Sequence, residues 1–157
     1  MIRGIHHTAI SCIDIDRSVA FYRDLLGFEL VMEYDWSEGQ VDTNRTHALP
    51  ETASRVAILR CGNAMLELFQ YRTPEPRPVD PERKLIDHGI IHLCIDVKDI
   101  DGEYERLKAG GMNFHCEPVD YGSCRCTYGR DPDGNVIELI EVHSADDPIY
   151  LEVPKRS

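Results

Sequence analysis

Apolar and polar positions repeat along the chain in two rounds. Gly4-Ile5-His6-His7-Thr8-Ala9-Ile10 and Gly89-Ile90-Ile91-His92-Leu93-Cys94-Ile95 share one strand-like pattern, and each runs into an acidic turn, Asp14-Ile15-Asp16 and Asp99-Ile100-Asp101. The offset is constant, with 85 residues separating His7 from His92 and Asp14 from Asp99. Self-similarity of this kind marks a duplicated unit. Helical spacing follows each turn, in Val19, Tyr22 and Leu26 and again in Ile100, Tyr104 and Leu107. Asp16 and Asp101 are read as N-caps, and Gly27 and Gly110-Gly111 as stops.

Strand signals close each round. Arg55–Arg60 and Ala64–Phe69 flank the turn Cys61-Gly62-Asn63, and Cys124–Tyr128 and Val136–Ile140 flank Asp131-Pro132-Asp133-Gly134. The pattern predicts an α+β chain, a single domain over 1–157 built from two βαβββ modules. Module one covers about 4–71 and module two about 88–143, joined by a linker over 72–87 with prolines at 74, 76 and 78, and followed by a tail over 144–157. His7 to Glu67 is a longer span than His92 to Glu138. The excess falls in Trp36–Ser54, whose Gly, Asp, Asn and Thr content reads as a loop suited to substrate selection.

Strand alternation separates the chemistry from the core. Thr8, Ile10 and Cys12 share one face, and His7, Ala9 and Ser11 the other; Leu66 and Leu68 oppose Glu67, and Ile137 and Leu139 oppose Glu138. Each helix is expected to cover the apolar face of its own sheet, leaving His7, Glu67, His92 and Glu138 on the opposite faces. A carboxylate between leucines is costly unless it is solvated, paired or bound to a cation. Singly, each of the four residues fits a wet sheet face. As a repeated His-then-Glu pair they suit a divalent metal with positions left open for water or substrate. His6, His47, His88, His115 and His143 have no counterpart across the repeat.

Charge and composition narrow the partners. Seventeen basic against twenty-eight acidic residues give a net charge of −11, which opposes phosphate binding and argues against a nucleic-acid partner. Hydrophobic residues make up 42% and charged residues 29%, an ordinary mixture for a folded chain. No apolar run approaches the roughly 20 residues of a membrane helix. Met1-Ile2-Arg3-Gly4-Ile5-His6-His7 lacks the layout of a signal peptide. The expectation is a cytoplasmic protein whose six cysteines serve as small hydrophobes, since none form a Cys-x-x-Cys pair.

His7-Thr8-Ala9-Ile10, Asp16-Arg17-Ser18-Val19-Ala20-Phe21-Tyr22-Arg23-Asp24-Leu25-Leu26-Gly27-Phe28 and Asp131-Pro132-Asp133-Gly134-Asn135-Val136-Ile137-Glu138-Leu139 closely resemble the vicinal oxygen chelate superfamily. That superfamily includes glyoxalase I, methylmalonyl-CoA epimerase, one class of extradiol dioxygenases and the fosfomycin- and bleomycin-resistance proteins. The resemblance implies paired modules around a U-shaped cavity, with one divalent ion (Ni, Co, Zn, Mn or Fe) on His7, Glu67, His92 and Glu138. It further implies a glyoxalase-like lyase or isomerase that chelates a small oxygenated substrate and moves a carbon-bound proton, with Glu138 or Glu67 as base. The alternatives are a non-haem iron dioxygenase, an acyl-CoA epimerase and a sequestering protein without turnover. Arg125, as an anion holder, and Phe69 and Trp36 are the candidate substrate contacts, and a homodimer is the expected assembly.

Overall fold

The computed structural model describes residues 1–80 and 83–152. Pro81 and Glu82 of the expected linker, and 153–157 of the expected tail, lie outside the described residues. The chain is a mixed α+β protein that divides into two units, Met1–Pro78 and Val79–Ser157.

The first unit holds a four-stranded sheet in the order β1-β4-β3-β2. Its strands are β1 (His7–Ser11), β2 (Glu29–Trp36), β3 (Ala53–Cys61) and β4 (Ala64–Thr73). β1 runs parallel to β4, and the other pairs are antiparallel. β3 and β4 turn over Gly62 and Asn63, where Gly62 takes a φ of 52°; a side chain is strained there and glycine is not. Helix α1 (Ile15–Val19) continues into a π-helical turn, Ala20–Leu25. It packs on β3 and β4, burying Ile15, Val19 and Tyr22 on the side of the sheet that carries Leu66, Leu68, Ala57 and Leu59. Each such aliphatic side chain contributes about 1.5–3 kcal/mol.

The second unit repeats the plan with a sheet ordered β5-β9-β8-β6 and β7 also on β8. β5 is Leu93–Asp96, β6 Asn113–Phe114, β7 Val119–Asp120, β8 Cys124–Arg130 and β9 Val136–Val142. Helix α3 (Ile100–Ala109) buries Ile100, Tyr104 and Leu107, and Ile137 and Leu139 of β9 are fully buried. The β8–β9 turn is tied by Asp131, whose carboxylate accepts from the backbone N–H groups of Asp133 and Asn135 and from the Asn135 side chain.

Three details depart from the sequence reading. The N-caps are Asp14 and Asp99 rather than Asp16 and Asp101. Asp14 accepts from the N–H groups of Asp16 and Arg17, and Asp99 from that of Gly102. Asp16 and Asp101 instead form two-pronged pairs with Arg55 and Arg125. Next, Trp36–Ser54 is not all loop, because helix α2 (Val41–His47) forms inside it and ends on Ala48 in the left-handed region. Finally, the second strand of the second unit is broken into β6 and β7. Among the described residues no helix is long and apolar enough to cross a membrane.

Candidate metal centre

In both units one register sets a histidine beside a glutamate. Ala9 lies opposite Glu67 across the parallel β1–β4 pair, and Cys94 lies opposite Glu138 across β5–β9. The histidine two residues earlier, His7 or His92, therefore meets the glutamate diagonally on the same face. His7 Nε2 stands 3.2 Å from Glu67 Oε2, and His92 Nε2 stands 2.9 Å from Glu138 Oε2. The glutamate side chains are only 13% and 11% exposed. A carboxylate that far from water needs donors or a cation.

The two glutamates are supplied with donors differently. In the first unit the Tyr34 hydroxyl donates to Glu67 Oε1 at 3.2 Å. Burial, and then the Glu67 charge, raise the phenols of Tyr34 and Tyr71. In the second unit Tyr128 lies opposite Glu138 on β8. Desolvation and then Glu138 raise its phenol strongly, and push the Cys94 thiol up to about 12 and the Cys126 thiol up to about 11. The Tyr128 phenol and the two thiols stay protonated near neutrality beside Glu138. Sequence reasoning missed Tyr34, Tyr71, Tyr128 and the role of the two thiols. Tyr128 was findable by counting back from the Asp131–Gly134 turn, but Tyr34 needed the β2 register.

The donor set fits a divalent ion in kind. Each pair turns an imidazole nitrogen and a carboxylate oxygen toward one another, and zinc-like ions take both ligand types. His92 Nδ1 is buried without a hydrogen-bond partner, while His7 Nδ1 lies 2.9 Å from His6 Nδ1. Each pair by itself supplies two ligands. Among the described residues no group of three or more His, Cys, Asp or Glu gathers closely enough to hold a metal.

The substrate-contact candidates separate. Arg125 pairs with Glu141 in the β8–β9 register, on the face opposite Glu138, and its guanidinium clasps Asp101 at 2.6 and 2.8 Å. It fixes α3 to the sheet on the face opposite Glu138. Trp36 and Phe69 do share the face of Glu67, in an aromatic group with His47 and Tyr71. None of the six cysteines forms a disulfide.

Comparison with known proteins fixes the family. A 2-epi-5-epi-valiolone epimerase from Actinomyces sp. is 34% identical over 88% of this chain and 79% of its own length. A lactoylglutathione lyase from Neisseria meningitidis is 29% identical over 93% and 96%. A glyoxalase family protein from Bacillus cereus shares the fold, with a TM-score of 0.83 at 22% identity, covering 92% of this chain and 97% of that one. Residues 4–139 match the family model itself, and the chain therefore belongs to the Glyoxalase/Bleomycin resistance protein/Dioxygenase superfamily.

Proposed function

We propose that the protein is a divalent-metal lyase or isomerase that moves a carbon-bound proton of a small oxygenated substrate. His7, Glu67, His92 and Glu138 are the proposed ligands, supplied by one chain or by two copies in a homodimer. The observation that carries this is the duplicated diagonal, a histidine Nε2 against a glutamate Oε2 at the same register position on two sheets. Relatives named as a lyase and an epimerase support the same class.

A divalent ion held there supplies Lewis acidity toward a substrate oxygen, which acidifies the neighbouring carbon. The chain's own residues do the rest. Glu138 or Glu67 takes the proton and returns it. Tyr34 orients Glu67 by donating to its carboxylate, and Tyr128, Cys94 and Cys126 hold their protonated groups beside Glu138. Leu66, Leu68, Ile137 and Leu139 seal the opposite faces of the two strands against water.

The test begins with chelator-treated protein titrated calorimetrically with Ni²⁺ and Zn²⁺. About one ion per chain is expected, with affinity weakened at least tenfold in His7→Ala and in His92→Ala. Failure to take up either ion at micromolar concentration overturns the reading. Glu138→Gln keeps a ligating oxygen and loses the base. With a turned-over substrate it is expected to lose about a hundred- to ten-thousand-fold of carbon–hydrogen exchange in heavy water while metal remains bound. Undiminished exchange moves the base to Glu67.

A further inference from the structure

His47 ends α2 with its Nδ1 2.8 Å from the Thr43 carbonyl oxygen. A carbonyl only accepts, so in the neutral ring Nδ1 carries the proton and Nε2 is left as an acceptor. The hydrogen bonds of this ring run through Nδ1, and none among the described residues engages Nε2.

The ring that carries this acceptor packs against an aromatic cup. The His47 ring lies 5.5 Å from Trp36, 6.2 Å from Phe69 and 6.1 Å from Tyr71. Phe69 and Tyr71 stack at 5.5 Å with 9° between their planes, and Trp36 meets them edge-on at 6.1 and 6.4 Å. The position of His47 is built. Trp36 Nε1 donates to Thr52 Oγ1, and both Thr52 Oγ1 and the Thr52 N–H donate to Asn44 Oδ1 on α2. Glu51 ties the start of the same segment through Gly39 N and Asn44 Nδ2. Ending a helix requires none of this strutwork.

The cup borders the carboxylate already described. Tyr34, which donates to Glu67, lies 6.3 Å from Trp36, and the Glu67 charge acts on the Tyr71 phenol. We infer that His47 is a substrate-binding residue, its Nε2 accepting from a hydroxyl of an uncharged substrate whose C–H surface rests on Phe69 and Tyr71, next to Trp36. Aromatic faces take up flat apolar surface. A charged group would be stranded among these rings, whereas a hydroxyl can donate to Nε2. The inference rests on the reading of Glu67 as part of the substrate site.

Trp36 is the chain's single tryptophan, so its fluorescence reads the cup without turnover. The probes are 2-hydroxycyclohexanone and cyclohexanone, titrated into the unmodified protein, His47→Phe and His47→Gln. The unmodified protein is expected to favour the hydroxyketone by roughly threefold to tenfold, the worth of one hydrogen bond. His47→Phe is expected to bind both alike, and His47→Gln, which keeps an acceptor, to recover part of the preference. In the unmodified protein the His47 Nε2 nitrogen resonance is expected to move with the hydroxyketone alone, which needs no variant to fold. No Trp36 response to either ketone at tens of millimolar, a hydroxyl preference that survives in His47→Phe, or an Nε2 resonance indifferent to the hydroxyketone would each overturn the inference. Metal titration of the unmodified protein decides the Glu67 reading independently, whatever the ketones do.

Discussion

Arg125 shows how far one residue's role depends on which face of a strand it occupies. Its sequence neighbours suggest a cation near the site, yet the register pairs it with Glu141, whose carboxylate accepts from the N–H groups of Asp99 and Ile100. Asp101, clasped by Arg125, has its carboxyl held below the usual 3.8, chiefly by that hydrogen bond. A lowered folded value means that the stabilisation is present above the unfolded value and is lost as pH falls through the folded one. Arg125→Gln is therefore expected to move acid unfolding, followed by circular dichroism, to higher pH. Its Ni²⁺ affinity should change by less than twofold. An unchanged acid midpoint, or a tenfold loss of metal, would return Arg125 to the site.

At the scale of elements, β8 has no room for a side chain at Gly129. A Cβ on Gly129 would fall 2.6 Å from Met112 Cε, 2.9 Å from the Asn113 carbonyl oxygen and 3.1 Å from Phe114 Cδ1. The methionine end can move aside, but the backbone oxygen of β6 cannot do so without breaking its pairing. Gly129→Ala is expected to cost about 1–3 kcal/mol, as overpacking does, and a melting temperature no lower than that of the parent would contradict this. The elements also show what the sequence let one read. Strands beside Glu67 and Glu138 were legible because Leu66, Leu68, Ile137 and Leu139 alternate with the acids and glycine turns bound them. α2 was not, because Asp42, Thr43 and Asn44 are poor helix formers by composition, and what holds the segment is the tertiary network of Trp36, Asn44, Glu51 and Thr52. The caps were misplaced by two residues because both acids of each turn are suitable caps, and only the positions of Arg55 and Arg125 decide between them. The two histidines could be named from the period of 85 and the two glutamates from their place between alternating leucines and isoleucines; the tyrosines and thiols around them follow from sheet register.

For the whole molecule, exposed isoleucines precede the first strand of each unit. Ile5 and Ile90, one repeat apart, are 87% and 81% exposed, and Ile2 and Ile86 are 95% and 84%. They lie just ahead of His7 and His92, and each sheet ends on open strands, β1 and β2 in one and β5 and β6 in the other. Open edges and bare isoleucines invite a partner, and a second copy of the chain is the occupant expected here. Sedimentation velocity is expected to show a species at least twice the 17.9 kDa chain. Only the single-chain mass across a wide concentration range would rule this out.

The boundary at Pro78–Val79 leaves each half with its own complete sheet and its own histidine–glutamate pair. That arrangement has a consequence for ancestry. Copying a gene for one such half doubles the number of potential ligands in a single event, with no new contact to invent. The copies are then free to diverge wherever the shared scaffold does not constrain them. Here one half carries α2 with its aromatic cup, and the other a broken second strand and thiols beside its acid. Descendants of one duplicated ancestor would be expected to vary most in these same places, and least in the diagonal that both halves inherited.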